Sequence, residues 1–128
     1  MRKLMVVDDE EIIRNIVRDI VSMYCDDVFV ETACSGEEAI EKLRGGRFDL
    51  VFLDMKMKTA DGLDTYRRMV EINPEQKVFI VTGYLDEERN KQAVREGACG
   101  TIYKPFKVDD ITDVIERYAP RCNSAGKV

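Results

Sequence analysis

The chain has 128 residues, which suits one compact domain with a real core and leaves little room for a second. Hydrophobic residues make up 45% and charged residues 35%, and a net charge of −5 without a basic patch argues against direct nucleic-acid binding. The absence of histidine excludes His-based acid/base chemistry and any Ser-His-Asp or Cys-His arrangement, so chemistry here falls to carboxylates, lysine, hydroxyls or a metal.

The four cysteines, at 25, 34, 99 and 122, form no C-x-x-C pair and read as reduced thiols packed mostly as small apolar residues. Apolar runs are far too short to span a bilayer. The N-terminal stretch turns acidic before a secretory signal could form. The expectation is a cytoplasmic protein without a membrane partner.

Five short apolar runs, rich in Val, Ile and Phe, are predicted as strands, alternating with five amphipathic helical stretches. Strand Leu4–Val7 comes first. Ile12, Ile13, Ile16, Val17, Ile20, Val21 and Tyr24 then recur at helical spacing and predict one apolar face. After strand Val28–Thr32, Ser35 and Glu38 form a capping-box pattern. The helix they open carries Ala39, Ile40 and Leu43 and stops at Gly45-Gly46. Strand Leu50–Leu53 precedes a helix from about Leu63 to Ile72, stopped by Asn73-Pro74. Strand Val78–Val81 precedes a helix starting near Asp86, carrying Ala93 and Val94 and ending at Gly97. The acidic run Asp86-Glu87-Glu88 reads as helix-start electrostatics. Strand Thr101–Tyr103 precedes a helix with Ile111, Val114, Ile115 and Tyr118, stopped by Pro120. The domain is expected to span 1–120, with a polar tail or start of a linker over 121–128.

Continuous apolar runs suit strands buried on both faces, so the predicted class is α/β: a parallel sheet with helices on both sides and right-handed crossovers. Ligands of such sheets bind beyond the carboxyl ends of the strands. At those ends stand Asp8 and Asp9 after the first strand, Asp54 after the third, Thr82 after the fourth and Lys104 after the fifth. Three gathered carboxylates repel one another and call for compensation, which a divalent cation and Lys104 can supply. Oxygen ligands suit Mg²⁺ or Mn²⁺. A carboxylate beside such an ion can attack phosphorus, while the metal, Lys104 and the Thr82 hydroxyl meet charge on the phosphoryl oxygens.

Val6-Val7-Asp8-Asp9-Glu10, Asp54-Met55-Lys56-Met57, Asp61-Gly62, Thr82-Gly83 and Lys104-Pro105-Phe106, in this order and spacing, resemble the receiver domains of response regulators, the chemotaxis-regulator-like module of two-component systems. The resemblance spans about residues 2–120 and implies a doubly wound, flavodoxin-like sheet of strand order 2-1-3-4-5. It implies that Asp54 is the phosphoacceptor. Asp8, Asp9, Asp54 and the Lys56 backbone carbonyl would hold the metal. Thr82 and Lys104 would contact the phosphoryl group. The donor would be a sensor histidine kinase or phosphotransfer protein. The face of the fourth helix, fifth strand and fifth helix would meet an effector domain or a second copy.

Two positions, 101 and 58, depart from the family pattern. Thr101 stands where an aromatic switch residue is usual, with Tyr103 on the same face of the strand. Lys58 replaces a common proline after Asp54. Lys56 and Tyr84, at positions that tune phosphoryl loss, could restrict the attacking water. Plainer readings stand beside these: Asp8 and Asp9 as helix caps, Asp54 as a turn residue, and Lys104-Pro105, trans by default, as a loop. Three rival functions stand beside this one: a phosphorylation-independent binding module, a flavin carrier and an aspartyl-phosphate phosphatase. The flavin carrier is opposed by the acidic first loop. The phosphatase, of haloacid dehalogenase type, would want an acid where Lys56 stands. The expectation is a protein that is not an enzyme beyond its own phosphorylation and slow dephosphorylation.

Overall fold

The computed structural model describes residues 1–58, 61–83 and 87–120. Strands β1 (Arg2–Val7), β2 (Val28–Ala33), β3 (Leu50–Leu53), β4 (Val78–Thr82) and β5 (Gly100–Tyr103) form one parallel sheet in the order β2-β1-β3-β4-β5. Between and after them run α1 (Glu11–Tyr24), α2 (Gly36–Arg44), α3 (Gly62–Ile72), α4 (Glu87–Arg95) and α5 (Val108–Tyr118). This is the expected doubly wound, flavodoxin-like topology. The strand order reverses between β1 and β3, whose register runs from Leu4 opposite Leu50 to Val7 opposite Leu53.

Period-two alternation splits the core between the two faces of the sheet. Met5, Val7, Val51, Leu53, Val78 and Ile80 pack against Ala39, Ile40 and Leu43 of α2, Leu63, Tyr66 and Met69 of α3, and Ala93 of α4. Leu4, Val6, Leu50, Phe52, Phe79 and Val81 pack against Val17, Ile20 and Val21 of α1 and Ile111 and Ile115 of α5. Every residue of β3 and β4 is buried, which accounts for runs that are apolar at each position rather than at alternate ones.

The predicted apolar face of α1 is wider than the surface the sheet covers. Val17, Ile20 and Val21 are buried and Ile13 packs at the margin. Ile12 is 67% exposed, and Ile16 and Tyr24 are also exposed. Seven positions spread over too much of the helix circumference for one contact, because each residue advances about 100° around the axis. Ile12 and Ile16 fall at its edge, and Tyr24 lies in the last turn.

The ends of α2 and α3 follow their local chemistry. Ser35 Oγ accepts from Glu38 N at 3.1 Å, as the capping pattern predicts. The return bond shifts by one residue: Glu38 Oε1 accepts from Cys34 N at 2.8 Å rather than from the cap's own N–H. Asp61 caps α3 through Oδ1, which accepts from Leu63 N at 2.9 Å. Cys25 and Cys99 are half-buried against the core and burial pushes their thiols up, whereas Cys34 is exposed. Cys122 and the tail over 121–128 lie outside the described residues.

Two further features hold the frame. Buried Arg2 donates to the Ala119 carbonyl at 3.1 Å and the Asp26 carbonyl at 2.6 Å, fastening the start of β1 to the residue that follows α5. Arg67 of α3 grips Glu96 with Nε to Oε1 at 2.8 Å and Nη2 to Oε2 at 2.6 Å, a bidentate pair just past α4.

Gly62 opens α3 against the chain leaving β3. Its N–H donates to the Met55 carbonyl at 3.0 Å, and a Cβ there would lie 2.4 Å from Met55 Cα. No side-chain adjustment relieves a clash with backbone. Gly62→Ala is therefore expected to destabilise the fold by about 1–3 kcal/mol, read from chemical denaturation, with a loss under 0.5 kcal/mol contradicting this packing.

Candidate functional site

The site forms where β1 and β3 end side by side. Asp8 N donates to the Ala33 carbonyl at 3.1 Å, and Asp54 N donates to the Val7 carbonyl at 3.0 Å, so both residues continue the strand pairing for one more step. Their side chains are buried, with Asp54 4% exposed. Asp8 Oδ1 accepts from Glu10 N at 2.9 Å and helps turn the chain into α1. Arg14, one turn into that helix, donates to the Asp8 carbonyl at 2.7 Å and fixes the same bend. Thus Asp8 does take part in starting the helix, as the plainer reading held, while its other oxygen faces the carboxylate cluster.

Asp9 is half-buried, and its Oδ2 accepts from Lys58 N at 2.8 Å, which ties it to the loop after β3. One carboxylate oxygen each from Asp8, Asp9 and Asp54 lies within 4.8 Å of the others. An all-oxygen set of this size suits a hard divalent cation of the Mg²⁺ or Mn²⁺ kind.

Lys104 reaches the same point from β5. Its backbone N–H donates to the Thr82 carbonyl at 2.9 Å, and the Lys104–Pro105 peptide is cis rather than the trans default. Its Nζ donates to Asp8 Oδ2 at 2.8 Å and to Asp54 Oδ2 at 3.4 Å, with Glu10 Oε1 at 3.7 Å. Burial pulls the lysine down. The hydrogen bond to Asp8 and the charges of Asp54, Asp8 and Glu10 outweigh burial and hold it above its ordinary value. Asp54 also moves up, which for a carboxylate disfavours the charged form. Burial, reinforced by the charge of Asp8, pushes it up to about 6, against the smaller opposing pull of the Lys56 N–H and of Lys104. One ammonium thus does not offset the crowding.

Above these groups opens a cleft of about 310 Å³ lined by Asp9, Glu10, Asp54, Lys56, Thr82, Gly83 and Lys104. Thr82 is fully buried at the last position of β4. Lys56 N donates to Asp54 Oδ1 at 3.1 Å, so the loop after the aspartate folds back over it. The structure therefore brings together Asp8, Asp9, Asp54, Lys56, Thr82 and Lys104. It does not bring Thr101 to the cleft. That residue pairs with Ile80 along β5 and is half-buried below the rim. Tyr103, two residues on and so on the same face, is 37% exposed at the surface. Tyr84 lies outside the described residues.

Some contributors carry no sequence signal of their own. Glu10 lines the cleft and faces Lys104, although in the sequence it is only the third acid of a run. The Lys58 contribution is a backbone N–H, which any residue but proline supplies. Arg14 acts through a main-chain carbonyl. Asp61, already the cap of α3, forms an ion pair with Arg89 of α4, a contact between residues 28 apart in sequence.

The chain matches known proteins over nearly its whole length. The family described as the response regulator receiver domain matches residues 4–116. The sporulation initiation phosphotransferase F of Bacillus subtilis is 31% identical over 118 residues, covering 92% of this chain and 94% of its own length. Among solved structures, a CheY-like receiver domain protein from Methanospirillum hungatei superposes with a TM-score of 0.87 at 24% identity, covering 98% of this chain and 99% of that one. The response regulator TrrA of Thermotoga maritima, solved in complex with Mg²⁺ and BeF, gives a TM-score of 0.81 at 27% identity, covering 92% of this chain and 99% of its own.

The raised Asp54 carboxyl sets a pH dependence in metal-free protein. Its proton is held more tightly in the folded state, up to about 6 against an ordinary 3.8. This group's contribution to stability is full below the ordinary value and is lost as pH rises through about 6. Asp54→Asn is expected to stabilise the metal-free protein at pH 7–8 by about 3 kcal/mol at most, with the gain fading below pH 4. Urea denaturation across that range checks the sign; a gain that grows on acidification would contradict it.

Proposed function

Because this chain belongs to the response regulator receiver domain family, we propose that Asp54 accepts a phosphoryl group from a phosphohistidine of a sensor kinase or phosphotransfer protein. The supporting observation is the convergence of Asp8, Asp9 and Asp54 with Lys104 at the point where the strand order reverses. A structural role alone gives no reason to crowd three acids around one lysine.

In this reading Asp8, Asp9, Asp54 and the Lys56 carbonyl would hold Mg²⁺ or Mn²⁺. When bound, the ion would supply charge neutralisation for the phosphoryl oxygens. Asp54 attacks phosphorus, the bond from phosphorus to the donor imidazole nitrogen breaks, and the electron pair stays on that nitrogen. Lys104 rests nearer to Asp8 than to Asp54 before reaction. Phosphorylation draws it toward the new phosphoryl oxygens, and the Thr82 hydroxyl donates to another of them. With Thr101 away from the cleft, Tyr103 is the aromatic group of β5 that follows Thr82. Lys56 and Tyr84 limit the approach of water and so lengthen the life of the acyl phosphate.

The chain turns over no external substrate. It loads Asp54 and loses the group slowly. Residues 1–120 make up the receiver, and 121–128 a tail or the start of a linker. The face of α4, β5 and α5 exposes Val94 and Tyr103 among charged neighbours and serves as the surface for an effector domain or a second copy. No helix among the described residues is long and apolar enough to cross a membrane, which accords with a cytoplasmic place of action.

Intact mass spectrometry after treatment with acetyl phosphate tests the reading. Wild type with Mg²⁺ is expected to gain one phosphoryl group, and the gain is expected to vanish on removing Mg²⁺ or in Asp54→Asn. Folded, Mg²⁺-binding protein that gains no mass would turn the assignment toward a phosphorylation-independent binding module.

A further inference from the structure

Helix α4 is attached to the molecule unlike its neighbours. Ala93 is its one residue in the buried core among those described, and Val94 is 40% exposed. The rest of its surface is Glu88, Arg89, Lys91, Gln92 and Arg95. Its far end is held by the Arg67–Glu96 pair. Its near end is held by Arg89, which pairs with Asp61 across the gap to α3.

Beside Arg89 stands Asn90, only 2% exposed. Among the described residues, neither its amide nitrogen nor its amide oxygen has a hydrogen-bond partner. It sits one turn before Ala93 on the same face, so the side that carries the helix's apolar anchor also carries an unsatisfied amide. A buried amide without partners opposes its own burial, and a half-exposed ion pair contributes only modestly. The two have opposite sign, and neither is large against the stability of a domain.

We infer that the first turn of α4 is a latch near balance: the Arg89–Asp61 ion pair draws it onto the β3–α3 loop, while the buried, unpartnered Asn90 amide favours its release. The latch also joins the two rims of the cleft. Asp61 bridges to Lys56, which lines one rim, and α4 follows Thr82 and Gly83, which line the other. Opening it frees the loop over Asp54 and alters the outer face of α4 in one movement. The inference concerns the unmodified chain and does not depend on phosphorylation of Asp54.

Leucine matches asparagine in side-chain branching and heavy-atom count, so Asn90→Leu removes the polar penalty without changing shape. Arg89→Ala removes the restraint at a half-exposed position. Amide hydrogen exchange at Lys91, Gln92 and Ala93, followed by NMR on the metal-free full chain, reads the latch directly. Arg89→Ala is expected to speed exchange there about fivefold, Asn90→Leu to slow it about tenfold, and the double variant to fall between them, while Val51 and Phe52 of β3 keep their wild-type rates in Arg89→Ala. Exchange in Arg89→Ala within twofold of wild type, faster exchange in Asn90→Leu, or an equal acceleration in β3 would each overturn the inference.

Discussion

The constraint on which this molecule turns is the crowding of like charge. Three carboxylates meet where β1 and β3 end, two of them buried, and a single lysine does not neutralise them. Burial, reinforced by the charge of Asp8, leaves the Asp54 carboxyl raised. Much of the local architecture can be traced to managing it. Backbone N–H groups of Glu10, Lys56 and Lys58 are spent on the carboxylates of Asp8, Asp54 and Asp9 respectively. Each donor partly replaces the water lost on burial, and each comes from a loop whose path is thereby fixed. The site nevertheless stays short of positive charge, a condition that favours binding of a cation.

Those loops are held by a frame that is rigid where the sheet is double-faced and looser where it is not. β3 and β4 are covered on both sides, so Asp54 and Thr82 project from the most deeply packed strands. β5 lies at the edge, and its last residue, Tyr103, reaches the surface. Helix α4, which flanks it, relies on ion pairs more than on apolar contact. The groups that would react thus sit on the fixed part of the molecule, and the surface that would report sits on the part most easily displaced.

The sequence made the strands and the strand-end residues legible for one physical reason. Strands buried on both faces are apolar at every position, so a polar residue directly after such a run stands out. Asp8, Asp54 and Thr82 stand out this way, and Lys104 follows the shorter apolar run of the edge strand. The order of the strands was not written in periodicity and came from the resemblance. Features fixed by three-dimensional coverage were harder to read. Ile12 and Ile16 obey the helical period yet stand at the edge of the contact. Nothing about Asn90 in a polar helix marks it as buried. Main-chain contacts, such as Arg14 to the Asp8 carbonyl or Glu38 to Cys34 N, leave no trace in residue identity. The cis Lys104–Pro105 bond runs against the default for its residue pair.

The guanidinium of Arg2 has a topological consequence. By bonding to carbonyls at Asp26 and Ala119, it brings the first strand and the end of the last helix together at the floor of the sheet, opposite the cleft. The path from Arg2 to Ala119 is close to a closed ring. Joined through these ends by a short linker and reopened in a distant surface turn, a circularly permuted chain would keep every strand pairing and every carboxylate in place. The order in which the chain is threaded is thus separable from the arrangement it builds.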